Sequence, residues 1–262
     1  MADRHDHRVL IPVDVLGGES VPVTVAHTFA SVPVVLLGYH VIPDQTAPEQ
    51  ARTRFESQAR AELEELRTLF ESAGGDVTTR LVFTHNRFKT FERVALESNC
   101  DAVLLVNPAP ALERVLVAIR GDVNVDYIGR LVAAVVAGTG IDVTLFHAAA
   151  SEADRERGRE CLEAARSTLV ERGVGREGID VTVVVDDSPT DAILEAAADH
   201  DLLVVGESRP SIRRRIFRDR AERIARRSIA PVLVIRGEYL ESESESESGG
   251  KTESETTDDQ PS

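Results

Sequence analysis

The chain reads as one pattern written twice. Arg8-Val9-Leu10-Ile11-Pro12-Val13 returns as Arg114-Val115-Leu116-Val117-Ala118-Ile119. Val34-Val35-Leu36-Leu37-Gly38-Tyr39-His40 returns as Asp142-Val143-Thr144-Leu145-Phe146-His147, and Asp101-Ala102-Val103-Leu104-Leu105-Val106 as Asp201-Leu202-Leu203-Val204-Val205-Gly206. The copies lie about 100 to 107 residues apart. Spacing that even, in a chain of 262 residues, predicts two related halves of domain size.

The apolar runs have the composition of strands buried on both faces, and helical periodicity separates them. In the first half, strands are expected at 8–15, 32–41, 76–84 and 101–106. Ser20 is expected to cap a short helix that runs to about residue 30, with Pro22 in its first turn. A long amphipathic helix over 46–72 carries Phe55, Ala59, Leu63, Leu66 and Phe70 on one face, and Gly74-Gly75 stops it. Another helix covers 87–98. The second half offers strands at 115–119, 142–146, 180–185, 202–205 and 231–235, with helices near 126–137, 153–172, 190–199 and 208–228. Strands that alternate with helices predict a parallel sheet clad on both faces. The first half stops after its fourth strand. Asn107-Pro108-Ala109-Pro110-Ala111 lead almost directly into the next copy, so a final helix and strand are missing there.

Composition narrows the setting. No apolar run approaches the ~20 residues of a membrane helix, and residues 1–7 lack the apolar stretch of a signal peptide. A cytoplasmic location follows as an expectation. Cys100 and Cys161 are the only cysteines, one in each half, and read as reduced thiols with no zinc spacing around them. The net charge is −15, and Lys89 and Lys251 are the only lysines. This acidic, lysine-poor surface suits a halophile's cytosol, where dense carboxylates hold water. It opposes non-specific binding to nucleic acid, which depends on positive charge. Residues 241–262 lack the apolar side chains needed for a core and are expected to be a disordered acidic tail.

The second half resembles the universal stress protein family nearly end to end. Leu202-Leu203-Val204-Val205-Gly206-Glu207-Ser208, Ala221-Glu222-Arg223-Ile224 and Ser228-Ile229-Ala230-Pro231-Val232-Leu233-Val234-Ile235 carry the resemblance. The first half joins it at Ile11-Pro12-Val13-Asp14 and Tyr39-His40-Val41. The resemblance implies an α/β fold of two tandem parallel-sheet domains of the Rossmann type, like the adenine nucleotide alpha hydrolases. The expected boundaries are 8–112, lacking its last α-β unit, and 113–237.

Many members of that family bind ATP through an aspartate that ends strand 1 and a glycine-rich loop after strand 4, so ATP or AMP is the implied ligand. Glycines there allow the backbone to approach the phosphates. This chain divides the parts. The first half keeps Asp14 but has Asn107-Pro108-Ala109-Pro110 at the loop, and proline removes amide donors. The second half keeps Gly206 but has Arg209 at the next glycine, Arg218-Asp219 at the later Gly-Ser, and Arg120 at the aspartate. Nine arginines fall between Arg209 and Arg227. Their guanidinium forks suit an anion, and a solvated, acid-paired helix face is the alternative. The candidate nucleotide- or anion-binding residues are therefore Asp14, Gly206, Ser208, Arg209 and Arg213. His40 and His147 stand at what read as equivalent strand ends and are taken as structural. Asp186-Asp187-Ser188 is taken as the turn and cap before the helix near 190.

No nucleophile and base stand in a catalytic arrangement, and no metal or catalytic residue is assigned. The leading expectation is a non-catalytic stress-response or regulatory protein acting by association or weak ligand binding. An ATP/AMP-binding protein with slow hydrolysis is the alternative. A pyrophosphatase-type enzyme would need a Ser-Gly-Gly-x-Asp-Ser-like loop, which Gly17-Gly18-Glu19-Ser20 matches poorly. The expected partner is the chain itself, beside an unidentified protein partner. Strand 231–235 is either covered by the first half, giving an internal pseudo-dimer, or paired with its twin in a homodimer. The short linker favours the pseudo-dimer.

Overall fold

The computed structural model describes residues 7–107, 111–121, 124–206, 223–224 and 227–236. The first half contributes strands β1 (Val9–Asp14), β2 (Val34–Val41), β3 (Val77–Thr84) and β4 (Ala102–Leu105). The second contributes β5 (Arg114–Ala118), β6 (Asp142–Ala149), β7 (Ile179–Val185), β8 (Leu202–Gly206) and β9 (Val232–Ile235). They form one nine-stranded sheet in the order β3-β2-β1-β4-β9-β8-β5-β6-β7. Read inward from either edge, the order is the same, and β9 completes both halves.

Neighbouring strands are parallel except at one seam. β9 runs parallel to β8 but antiparallel to β4, with Ala102 opposite Ile235 and Leu105 opposite Val232. The two halves therefore point in opposite directions. The first half's β4 edge is covered by the second half's last strand, as the pseudo-dimer expectation requires. Val232, Leu233, Val234 and Ile235 are at most 1% exposed, so β9 is the buried centre of the sheet. Each such side chain contributes about 1.5–3 kcal/mol through burial.

Helices α1 (Val23–Thr28), α2 (Pro48–Ser72), α4 (Val125–Val136) and α5 (Glu152–Glu171) pack on one face. The apolar cluster beneath them runs without interruption from Val34 and Phe29 in the first half to Leu162 and Ile179 in the second. α3 (Arg87–Glu97) and α6 (Pro189–Ala197) cover the other face, together with Ile224. The expected face of α2 is inward: Ala59, Leu63 and Phe70 are buried, and Phe55 and Leu66 pack partly against the cluster. Gly74, at φ +89°, adopts a left-handed conformation that ends α2.

Three expectations change. Ser20 does not cap α1; the helix starts after Pro22, which is extended and makes no side-chain cap. Pro22 is itself the extended residue at the cap position, with ψ at 143°, so the helix begins at Val23. Ser188 does occupy the cap position of α6, but its side chain makes no capping bond. Asp186 Oδ1 instead accepts the Ser188 N–H at 2.6 Å and closes the turn.

The third concerns the histidines. Arg8 N–H donates to Asp101 Oδ2 and Arg114 N–H to Asp201 Oδ2, while Asp101 N–H and Asp201 N–H donate to the carbonyls of those two arginines. This reciprocal clasp makes Arg8 and Arg114 equivalent. Val9 then pairs with Val34 and Val115 with Val143. In that register His147 corresponds to Gly38 and His40 to Ala149. The histidines are one pleat apart rather than equivalent, because the likeness in sequence slips two residues against the hydrogen-bond ladder.

Most of the helix expected at 208–228 and the whole tail at 241–262 lie outside the described residues. Among those described, no helix is long and apolar enough to cross a membrane.

Candidate functional site

The carboxyl end of β1 gathers the polar groups of the first half. Asp14 Oδ1 lies 3.0 Å from His40 Nδ1 and accepts the Gly17 N–H at 3.0 Å, with a longer bond from Leu16 N–H at 3.4 Å. That carboxylate oxygen is thus committed to its own loop and to the end of β2. The Asp14 N–H donates to Glu19 Oε2 at 2.7 Å, and the Tyr39 hydroxyl donates to Glu19 Oε1 at 3.4 Å. Burial first, and then the Glu19 charge, push the Tyr39 phenol up to about 12. Interaction with the Arg87 guanidinium opposes that shift.

Beside this cluster, the β1–α1 loop and α2 enclose a cleft of about 390 Å3. Val15, Leu66 and Leu69 line it together with Gly18, Ser20 and the carboxylates of Glu19, Glu62 and Glu65. Three carboxylates around an opening repel phosphate. Among the described residues no group of three or more His, Cys, Asp or Glu side chains could hold a metal ion.

Asp14 and Gly206 are not brought together. Gly206 pairs with Ile235, Ile235 with Ala102, and Ala102 with Val9, the first residue of β1. Asp14 is the last residue of β1, five positions on, or roughly 17 Å along the strand. The antiparallel seam sends the two strand ends to opposite edges of the sheet.

Packing also accounts for Gly206. A Cβ there would meet the Ile128 side chain of α4, whose Cδ1 tip would have to turn aside to admit it. Ser208, Arg209 and Arg213 lie outside the described residues. Of the arginine-rich stretch, Arg223 and Arg227 are described; Arg223 is exposed, and the Arg227 guanidinium pairs with Asp191 at 2.8 Å. Arg120, in the place of Asp14, is exposed.

Asn107, after β4, donates from Nδ2 to the carbonyls of Ser228 at 3.2 Å and Ala230 at 3.0 Å. It ties the two halves at the seam. At the opposite edge Arg236 donates through Nη1 to Cys100 O and through its backbone N–H to Asp101 O, and the Tyr127 hydroxyl donates to Asp101 Oδ1. Ser31 Oγ donates to Ala134 O at 2.7 Å on the α1/α4 face. Burial pushes the Cys100 thiol up to about 12, and Cys100 and Cys161 are both buried and form no disulfide. His147 contacts Ile119 O through Nδ1 at 2.9 Å and is buried against Gly158.

Glu19, Tyr39 and Arg87 were not among the residues expected from sequence. The signal for Glu19 was present, as an acid two positions after Gly17 in a loop that closes on its own strand. Nothing local marks Arg87, which reaches the cluster from α3.

The family model of the universal stress proteins matches residues 112–236. These residues carry a universal stress protein family domain. A universal stress protein of Archaeoglobus fulgidus DSM 4304 is 17% identical in sequence, covers 88% of this chain and 97% of its own, and superposes with a TM-score of 0.58. That likeness shows the fold. A putative universal stress protein of Pseudomonas aeruginosa UCBPP-PA14 gives 16% identity over 89% of this chain and 94% of its own, with a TM-score of 0.49. The universal stress protein from A. fulgidus solved in complex with dAMP gives 21% identity over 48% of this chain and 97% of its own, at 0.39. No curated protein matches the sequence.

Proposed function

We propose that residues 8–112 and 113–237 are tandem universal-stress-type halves, the first lacking its last α-β unit. In this reading the chain is a non-catalytic stress-response or regulatory protein of a salt-rich cytoplasm. It works as a self-contained pseudo-dimer, by association and weak ligand binding. The observation that carries the reading is the separation of Asp14 from Gly206 to opposite edges of the sheet. A nucleotide whose ribose met Asp14 would find Asn107 and a proline-rich sequence in place of a phosphate loop, beside an acidic cleft. One whose phosphates met Gly206 would find Arg120 where the family places its aspartate. Each half has the wrong sign at one end of the ligand.

Titration calorimetry with ATP in molar salt tests the reading. A dissociation constant weaker than about 1 µM, or no heat at all, is expected. Tighter binding, or nucleotide released when the purified protein is denatured, favours the ATP/AMP-binding alternative with slow hydrolysis. Mass in high salt is the second arm. A 28.5 kDa species supports the pseudo-dimer, and a stable species of twice that mass overturns it.

A further inference from the structure

We propose that His7 is a proton-operated latch across the seam between the two halves, closing on Asp101 as the pH falls. His7 precedes β1 and is 8% exposed. Its Nδ1 lies 3.9 Å from Asp101 Oδ2, too far for a hydrogen bond and within the range of an ion pair. Its ring meets the Tyr127 ring edge-on, with the centroids 5.3 Å apart. Tyr127 belongs to α4 of the second half, and its hydroxyl donates to the other oxygen of the same carboxylate. The Asp101 carbonyl accepts the N–H of Arg236, just past β9. Asp101 thus gathers the entry to β1, the α4 helix and the exit from β9, and His7 stands at that junction.

The second half shows what the latch adds. Arg8 and Arg114 are equivalent, so the counterpart of His7 is Glu113. Glu113 and Arg114 both donate backbone N–H to Asp201 Oδ2, at 3.0 and 2.9 Å, and the Glu113 side chain is exposed. That clasp closes through backbone donors. Its neighbouring ring, His200, is turned to Ala196 O and Thr144 Oγ1.

Among the described residues, the charged groups on the elements around His7 are Asp101, Arg8, Asp126 and Arg130 on α4, and Arg236. The guanidiniums oppose an imidazolium and the carboxylates favour it. The guanidiniums are directed elsewhere: Arg8 Nη1 to Ser98 O at 3.0 Å, Arg236 Nη1 to Cys100 O at 2.9 Å, and Arg130 Nε to Asp126 Oδ2 at 3.2 Å. The Cys100 thiol, pushed up to about 12, is neutral across the range in which histidine titrates. Asp101 is 22% exposed, and its contact with water limits the cost of bringing a second charge beside it. The folded chain therefore favours the imidazolium. Stability from the pair is fully present below ~6.5, the ordinary histidine value, and is lost as the pH rises through the higher folded value. Acid tightens the seam and mild alkali slackens it.

The latch rests on the seam alone, so it and the ATP titration above can fail independently. The test compares the full chain with His7→Gln, in which the other histidines titrate unchanged. Lowering the pH from about 8 to about 5 should raise the wild-type thermal midpoint by ~2–4 °C relative to the variant. Protection of the Arg236 N–H against hydrogen exchange should rise several-fold over that range in wild type alone. Parallel curves, or a wild type that loses stability relative to His7→Gln in acid, overturn the proposal. Ring-proton NMR reads His7 directly. Its titration midpoint should move down in Asp101→Asn and up in Tyr127→Phe, which frees one carboxylate oxygen and keeps the ring. A midpoint that neither substitution moves overturns the latch, and if Asp101→Asn does not fold, Tyr127→Phe alone decides.

Discussion

Asp14, the last residue of β1, and Arg120, two residues past β5, follow strands that begin alike. Each strand opens on an arginine clasped by an aspartate, and each runs through buried aliphatic residues. At the equivalent position past the shared stretch one half places a carboxylate tied into its own loop and the other an exposed guanidinium. The difference follows from the connections rather than the strands. After β4 the chain passes directly to β5, while after β8 it travels on to β9 and returns through the seam. Strand interiors answer to packing, which both halves share. Strand ends answer to what comes next, and there the halves have parted.

The largest effect should come from the one strand that both halves use. Val234→Asp, in β9, buries an unpaired charge and should lower the unfolding free energy by at least about 4 kcal/mol. Leu233→Ala should cost about 2–5 kcal/mol. Thr79→Asp, exposed on the edge strand β3, should stay within about 0.5 kcal/mol. Denaturant titration should show a single transition in every case. Two transitions, one for each half, would break the view that β9 completes both.

Gly206→Ala sharpens the comparison next. The new methyl displaces the tip of Ile128 and should cost about 1 kcal/mol, and most of that cost should vanish in an Ile128→Ala background. An additive double mutant would return Gly206 to the role of ligand-loop glycine.

Alkaline titration weighs a group that only the first half buries at the seam. The Cys100 thiol ionises near 9 when unfolded and near 12 when folded. Between those values the unfolded chain has released the proton and the folded chain has not, so stability falls as pH rises through the window. Tyr39 acts in the same sense between about 10 and 12. Cys100→Ala should flatten the decline, measured as thermal midpoint against pH. An unchanged slope would remove the thiol from the account.

The smallest effect separates the two chain exits. Asn107→Ala should cost about 1 kcal/mol by releasing the Ser228 and Ala230 carbonyls, while Arg120→Ala should be nearly neutral. Equal costs would erase the distinction between a tied and a free strand end.

The sequence made much of the fold legible and little of the site. Runs such as Val34–Leu37 and Val232–Ile235 announce strands because burial on both faces leaves no polar alternation to confuse the period. The missing strand was equally plain from the few residues between Val106 and Arg114. The direction of the seam was not legible, since four apolar residues pair as readily parallel as antiparallel. With it went the knowledge that Asp14 and Gly206 face apart. Register escaped as well: His40 and His147 align by letter, but the ladder is fixed by Asp101 and Asp201 at the other end of the strands. Glu19 and Arg87 meet Tyr39 from two separate connections, and no local pattern encodes that meeting.

The pairing of β4 with β9 also sets a clock on biosynthesis. A ribosome finishes β4 about 130 residues before it finishes β9, which at ~5–20 residues per second is a wait of roughly 6–25 s. Throughout that interval Ala102–Leu105 has an unclaimed backbone edge, the kind that recruits strands from other nascent chains. The first half therefore emerges as a folding intermediate by construction, and its completion awaits β9.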